Sequence, residues 1–145
     1  MKVPELSAVA TLGCAALFSL AASSAMAETT APGISLELNK AEDTGGGCHL
    51  SFVMSNLTGT ALPAAAYELV LFDDAGVISQ MSVFDFGSLP DGKTVVRQFQ
   101  LPGLPCTKAG RLLINGPAGC TEPASSGHCT ASLTLSSRTG LDLTQ

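Results

Sequence analysis

The sequence has no tryptophan, one tyrosine and only 13% charged residues, and each shortage closes a set of readings. Without Trp there is no buried indole of the kind that marks antibody-type domains. Seven Lys and Arg stand against twelve Asp and Glu, a net charge of −5. That balance argues against nucleic acid and anionic lipid as partners, because both are bound through basic surfaces. His49 and His128 are the only histidines. No Gly-x-Ser-x-Gly elbow presents a nucleophile, and no Cys-x-x-Cys pair offers redox chemistry. Catalysis asks for a nucleophile with its base or for carboxylates of separated pKa, and neither pattern stands out. The reading is therefore of a protein that is not an enzyme and uses no cofactor.

The N-terminus has three parts. Met1 and Lys2 open it, an apolar run extends over residues 8–22, and Ala25-Met26-Ala27 places small residues at both ends of an A-x-A site. This is the pattern of a secretory signal, with cleavage expected after Ala27. The apolar run is shorter than the ~20 residues that span a bilayer, and polar sequence follows, so a retained anchor is disfavoured. Cys14, within Thr11-Leu12-Gly13-Cys14, raises lipidation as a rival. Thr stands where Leu is usual, however, and the apolar run continues through Phe18 and Leu20. The expected organisation is a cleaved signal at 1–27, a flexible leader at 28–33 and one disulfide-stabilised β domain at 34–145. The mature part holds eleven acids against six bases, so it keeps the net charge of −5. Its expected place is the periplasm or the medium, with no membrane insertion after cleavage.

Once Cys14 leaves, Cys48, Cys106, Cys120 and Cys129 remain. An even count in an exported chain reads as disulfides. Cys120 and Cys129 flank Thr-Glu-Pro-Ala-Ser-Ser-Gly-His, a turn-rich stretch that brings its own ends together cheaply. The favoured pairing is therefore Cys120–Cys129 with Cys48–Cys106. The rival is a metal site, since His49 adjoins Cys48 and His128 adjoins Cys129. Adjacent residues on a strand point to opposite faces, so adjacency denies the convergence that a copper or zinc ligand set needs.

Short segments of period two, closed by turn chemistry, fill the mature chain. Ile34, Leu36 and Leu38 alternate with polar residues. Cys48, Leu50, Phe52 and Met54 share one face, with His49 and Ser51 on the other. Residues 67–72 are largely apolar, and Asp73-Asp74-Ala75-Gly76 turns the chain into 77–86. Leu89-Pro90-Asp91-Gly92 is a second strong turn, leading into 93–101. Residues 111–114 form a short core-like run, and 131–135 alternate again with Leu133 and Leu135 inward. The one helix-friendly stretch is 62–67. Seven short strands with Gly, Pro and Asp turns predict an all-β fold, a seven-stranded sandwich of immunoglobulin or fibronectin type III kind. A small β-barrel is the alternative. Gly45-Gly46-Gly47 lacks the lysine and helix of a phosphate loop and reads as a flexible connection.

Four runs carry a resemblance: Leu71-Phe72-Asp73-Asp74-Ala75-Gly76-Val77-Ile78, the stretch from Leu89-Pro90-Asp91-Gly92 to Phe99, Leu101-Pro102-Gly103-Leu104-Pro105-Cys106, and Ser136-Ser137-Arg138-Thr139-Gly140. They are similar to a small family of exported alphaproteobacterial proteins designated by their signal sequence, and the likeness covers nearly the whole mature chain. No activity is attached to that family, so the resemblance implies company rather than chemistry. It implies a place near proton-driven energy-transducing complexes of the envelope.

Few polar residues stand out as sites. Asp73 and Asp74 read as turn residues capping their own backbone. Arg138 is the candidate partner contact, an arginine beside the last expected strand. Its bland alternative is a pair with Asp142 or another acid at the sheet edge. The leading expectation is a non-enzymatic periplasmic binding or accessory module that engages another envelope protein through a sheet edge or surface patch. The alternative is a small metal-handling protein using His49, His128 and Met54.

Overall fold

A computed structural model describes residues 32–122 and 127–145. The expected signal peptide at 1–27, Cys14 and most of the leader at 28–33 lie outside the described residues. Among the described residues eight strands form: β1 (Ile34–Thr44), β2 (Gly47–Asn56), β3 (Ala66–Asp73), β4 (Ile78–Asp85), β5 (Thr94–Pro102), β6 (Ala109–Pro117), β7 (Thr134–Ser137) and β8 (Asp142–Thr144). A 3-10 turn, Cys106–Lys108, precedes β6. The strands make two four-stranded sheets, ordered β5-β2-β1-β7 and β4-β3-β6-β8, packed face to face as a sandwich. The sheets do not merge into a closed barrel, so the barrel alternative falls.

Alternation builds the core. Ile34, Leu36 and Leu38 of β1 and Cys48, Leu50, Phe52 and Met54 of β2 are buried, as the period of two requires. Tyr67, Leu69 and Leu71 of β3 with Leu112 and Ile114 of β6 meet them from the second sheet. Phe52 sits at the centre of a phenylalanine cluster, with ring centroids 5.9 Å from Phe84, 5.8 Å from Phe86 and 6.0 Å from Phe99. Phe84 and Phe99 stack at 4.2 Å and so bridge β4 of one sheet to β5 of the other. Such pairs add about 0.5–1.5 kcal/mol each beyond the area they bury. In a chain with so few aromatics, the rings are concentrated where the sandwich would otherwise gape.

The two long sheets follow the A-B-E and C′-C-F order of immunoglobulin-type sandwiches, with β1, β2, β5 and β4, β3, β6 in those places. The C-terminal part departs from it. β7 lies parallel to β1 and β8 lies parallel to β6, so the last stretch of chain crosses from one sheet to the other over residues 138–141. The Arg138 amide bonds the Leu38 carbonyl at 2.9 Å, and Leu141 is buried at the crossing. This sheet-switching segment closes one side of the sandwich. On the other side β4 and β5 remain as edges.

Seven strands were expected and eight form. The expected strand at 131–135 instead begins at Thr134, because Ala131 is held in a turn by the Gly127 carbonyl. Leu133 is buried and Leu135 half-buried. β8 has only three residues and takes its partner from the distant β6, which leaves it no local periodic signal. The helix-friendly 62–67 stretch is extended, tied by isolated bridges from Leu62 to Leu89 and from Ala64 to Thr121. Gly47 is not a mere connector: it belongs to β2 at φ 143°, and a Cβ there would lie 2.0 Å from the Leu101 carbonyl oxygen.

Sulfur pairs as Cys48–Cys106 and Cys120–Cys129. The first joins β2 of one sheet to the turn that enters β6 of the other, with Cα atoms 4.7 Å apart. The second closes the loop after β6. Asn56, fully buried, pins the crossing from β2 to β3. Its Nδ2 donates to the carbonyls of Thr60 (2.8 Å) and Leu89 (2.9 Å), and its Oδ1 accepts from the Thr58 amide and hydroxyl.

Candidate functional site

The residues singled out in the sequence lie far apart. His49 stands on the outer face of β2, opposite Glu42 and Gln100 in register. Met54 is fully buried in the core. His128 lines a pocket of about 240 Å³ with Ile34, Thr58 and Leu133. Ile34 pairs with Asn56, seven residues along β2 from His49, so the two imidazoles are about 20 Å apart along the strand direction. The four cysteines among the described residues are consumed in disulfides. Among the described residues no group of three or more His, Cys, Asp or Glu converges on a common centre.

Arg138 follows β7 and pairs across to β1, its Nε 2.9 Å from Glu37 Oε1, rather than with Asp142. Asn39 donates to the same carboxylate at 2.7 Å. These two hydrogen bonds, the Asn39 one first, hold the Glu37 carboxyl below its usual range. Arg138 borders an open cleft of about 520 Å³ shared with Lys40, Thr107 and the 139–141 crossing. Lys40 is itself paired with Glu42 at 2.7 Å, so both cations at the cleft mouth have carboxylate partners. Asp73 caps its turn: Oδ1 accepts from the amides of Ala75 and Val77.

A different feature emerges from comparing the two outer faces. The outer face of the first sheet is polar and internally bonded, with Ser55 to Thr94 at 2.7 Å, Gln98 to Ser51 at 3.1 Å and Gln100 to Thr44 at 2.9 Å. The outer face of the second is apolar. Register with inward Tyr67, Leu69 and Leu71 places Val70, Phe72, Met81, Val83, Ile78 and Leu113 together on it. The central residues are already covered: Val70 is only 4% exposed, and Phe72 lies beneath the Arg111 guanidinium at 4.2 Å. The exposure is concentrated at the edge. Val77, Ile78, Met81 and Val83 are 61, 57, 53 and 56% exposed, four of the five large exposed apolar side chains among the described residues. Ile78, Met81 and Val83 share the outer face and present on the order of 300 Å² of apolar surface, the size of the largest patch on an ordinary monomer and often a functional one.

Along β4 the usual alternation is inverted. Gln80 and Ser82 point to the inside, hydrogen-bonded to each other at 3.1 Å, while Met81 and Val83 point out. β5, the other edge on the open side, is guarded by a charge on its inner face. Arg97 shares a side with buried Phe52, and its Nε donates to the Phe86 carbonyl at 2.9 Å. Pro102 ends that strand. Inward charges, prolines and bulges are among the devices that keep edges from pairing. β4 has a bulge at Ser79, but over 80–85 it is regular and carries no inward charge or proline.

The sequence reading missed this site. Period two in 77–86 separates two sets of residues but does not tell which set faces the core. The one available signal was that the strand alternates Met and Val with Gln and Ser, with the apolar set no larger than the polar one. No helix among the described residues is long and apolar enough to cross a membrane. Comparison with family models, with curated proteins and with solved structures finds no match to this chain.

Proposed function

We propose that the chain is a non-enzymatic binding or accessory module of the periplasm, and that it engages another envelope protein through β4 and the outer face of its sheet. The observation that carries the reading is the concentration of exposed apolar side chains, Ile78, Met81 and Val83, on one edge strand that is regular over 80–85. A monomer with no partner gains nothing from that exposure, whereas a recognition surface buries it on binding. The paired disulfides and the three-part N-terminus support an oxidising compartment outside the cytoplasm. The resemblance to exported alphaproteobacterial proteins supports a place beside a proton-driven energy-transducing complex. The metal-handling alternative is weakened by the geometry, since its thiols are bonded, Met54 is buried and its histidines stand apart.

The test is site-specific photocrosslinking in an exporting bacterium. A crosslinking side chain at position 81 is expected to yield a discrete adduct with another envelope protein, while the same group at exposed Val96 on β5 yields none. Equal labelling from both positions, or none from either, refutes the reading. Osmotic-shock fractionation with N-terminal sequencing is expected to place the chain in the periplasm, beginning at Glu28.

A further inference from the structure

Resting on the binding-module reading, we infer that β4 accepts an extended segment of a basic partner protein as a fifth strand of the β4-β3-β6-β8 sheet. Three observations select this occupant. The exposed apolar side chains stand on the edge strand itself, beside the place an added strand would fill, whereas the middle of the face is covered by its own neighbours. A globular partner lying over the face would need the reverse.

The alternation along β4 then specifies the guest. In a paired strand, residues directly opposite share a face. Guest residues beside Met81 and Val83 are therefore apolar. Those beside Gln80 and Ser82 are small and polar, because the inner row at this edge already uses hydrogen bonds. Backbone pairing over 80–85 supplies affinity, and the outer row supplies choice.

Charge selects the flanks. The patch is bordered by Glu68, Asp73, Asp74 and Asp85, against which stand Arg111, stacked on Phe72, and Lys108, paired with Asp74 at 3.3 Å. Four carboxylates against two cations favour Lys or Arg at the ends of the guest. The same charges disfavour a second copy of this chain. An antiparallel β4 pair about a two-fold axis would bring Asp85 of each copy to the Asp73–Asp74 turn of the other, and like charges so placed repel.

The probe is a synthetic peptide of alternating Val and Thr with two lysines at each end, compared with a twin carrying glutamates there. The lysine peptide is expected to bind at least tenfold tighter than its twin, an advantage that shrinks as salt rises from about 50 to about 500 mM. Met81→Lys with Val83→Lys is expected to weaken it at least tenfold, and Val96→Lys to change it less than twofold. Hydrogen exchange, which needs no variant, is expected to slow at least tenfold across 80–85 on peptide addition and to stay unchanged across β5. Binding without protection of those amides overturns strand addition, and equal binding of the two peptides overturns the charge argument. A dimer in sedimentation that Met81→Lys dissolves overturns the foreign guest in favour of a second copy. If position 81 still crosslinks to another envelope protein while the peptide leaves β4 unprotected, this inference fails and the binding-module reading survives. If neither occurs, both fail.

Discussion

Removing the two disulfides separately should destabilise the domain by unequal amounts, in an order set by the loops they close. Cys48 and Cys106 are 58 residues apart in sequence, and Cys120 and Cys129 are 9 apart. In the chain-entropy description, closing the longer loop removes about 4 kcal/mol of freedom from the unfolded ensemble, and closing the shorter one about 2.5 kcal/mol. Packing widens the gap. Cys48 is fully buried in the core, so replacing it with Ala adds about 1 kcal/mol of lost apolar contact. Cys48–Cys106 also links the two sheets, whereas Cys120–Cys129 closes a loop outside them. Urea unfolding of the C48A/C106A and C120A/C129A variants measures the difference. With a denaturant slope of about 2 kcal/mol per molar, the first should shift the midpoint by about 2–2.5 M and the second by about 1–1.5 M. A larger loss from the C120A/C129A pair would refute the loop-length reasoning and place the main covalent constraint in the 120–129 loop.

Four other substitutions, one of them a control, probe single features. Tyr67 is 1% exposed and its hydroxyl has no hydrogen-bond partner among the described residues, so Tyr67→Phe should leave thermal stability unchanged or raise it by about 1 kcal/mol. Burial, with the Glu122 charge as a lesser cause, raises the Tyr67 pKa above the ordinary 10.0. The folded state then holds that proton where the unfolded state releases it. Stability present below about pH 10 should be lost as pH rises towards the folded-state value, and Tyr67→Phe should flatten that alkaline decline in a pH series of melts. Asn56→Ala should cost about 2–3 kcal/mol in chemical denaturation, because it removes four buried hydrogen bonds and frees the crossing held through Thr58 and Thr60, while the Leu89 carbonyl keeps the Leu62 amide. Gly47→Ala forces a Cβ towards the Leu101 carbonyl at a φ of 143° and should cost about 3 kcal/mol or more, while Gly45→Ala, with open space around it, should change the melting midpoint little.

Where alternation coincides with burial, the strands were legible. In β1 and β2 the apolar sets are pure (Ile34, Leu36, Leu38; Cys48, Leu50, Phe52, Met54), so a period of two identifies the inner face directly. The Asp73-Asp74-Ala75-Gly76 and Leu89-Pro90-Asp91-Gly92 turns were equally readable, because Asp and Gly act within a few residues of their own backbone. Arg138 follows edge strand β7, and its ion-pair partner Glu37 lies 101 residues earlier, so only the parallel β1–β7 register brings them together. β8 was invisible for the same reason: three residues carry no period.

From the sequence alone came a small all-β domain with its inner strand faces, its main turns and a favoured disulfide pairing, because these follow from side-chain alternation and from loops that close on themselves. Tertiary structure alone decided that the last segment switches sheets, that Gln80 and Ser82 rather than Met81 and Val83 face inward, and that Arg97 guards one edge while the other stands open. Each of those depends on which distant strand lies alongside, and strand neighbours are chosen by the packing of the whole sandwich rather than by any local pattern.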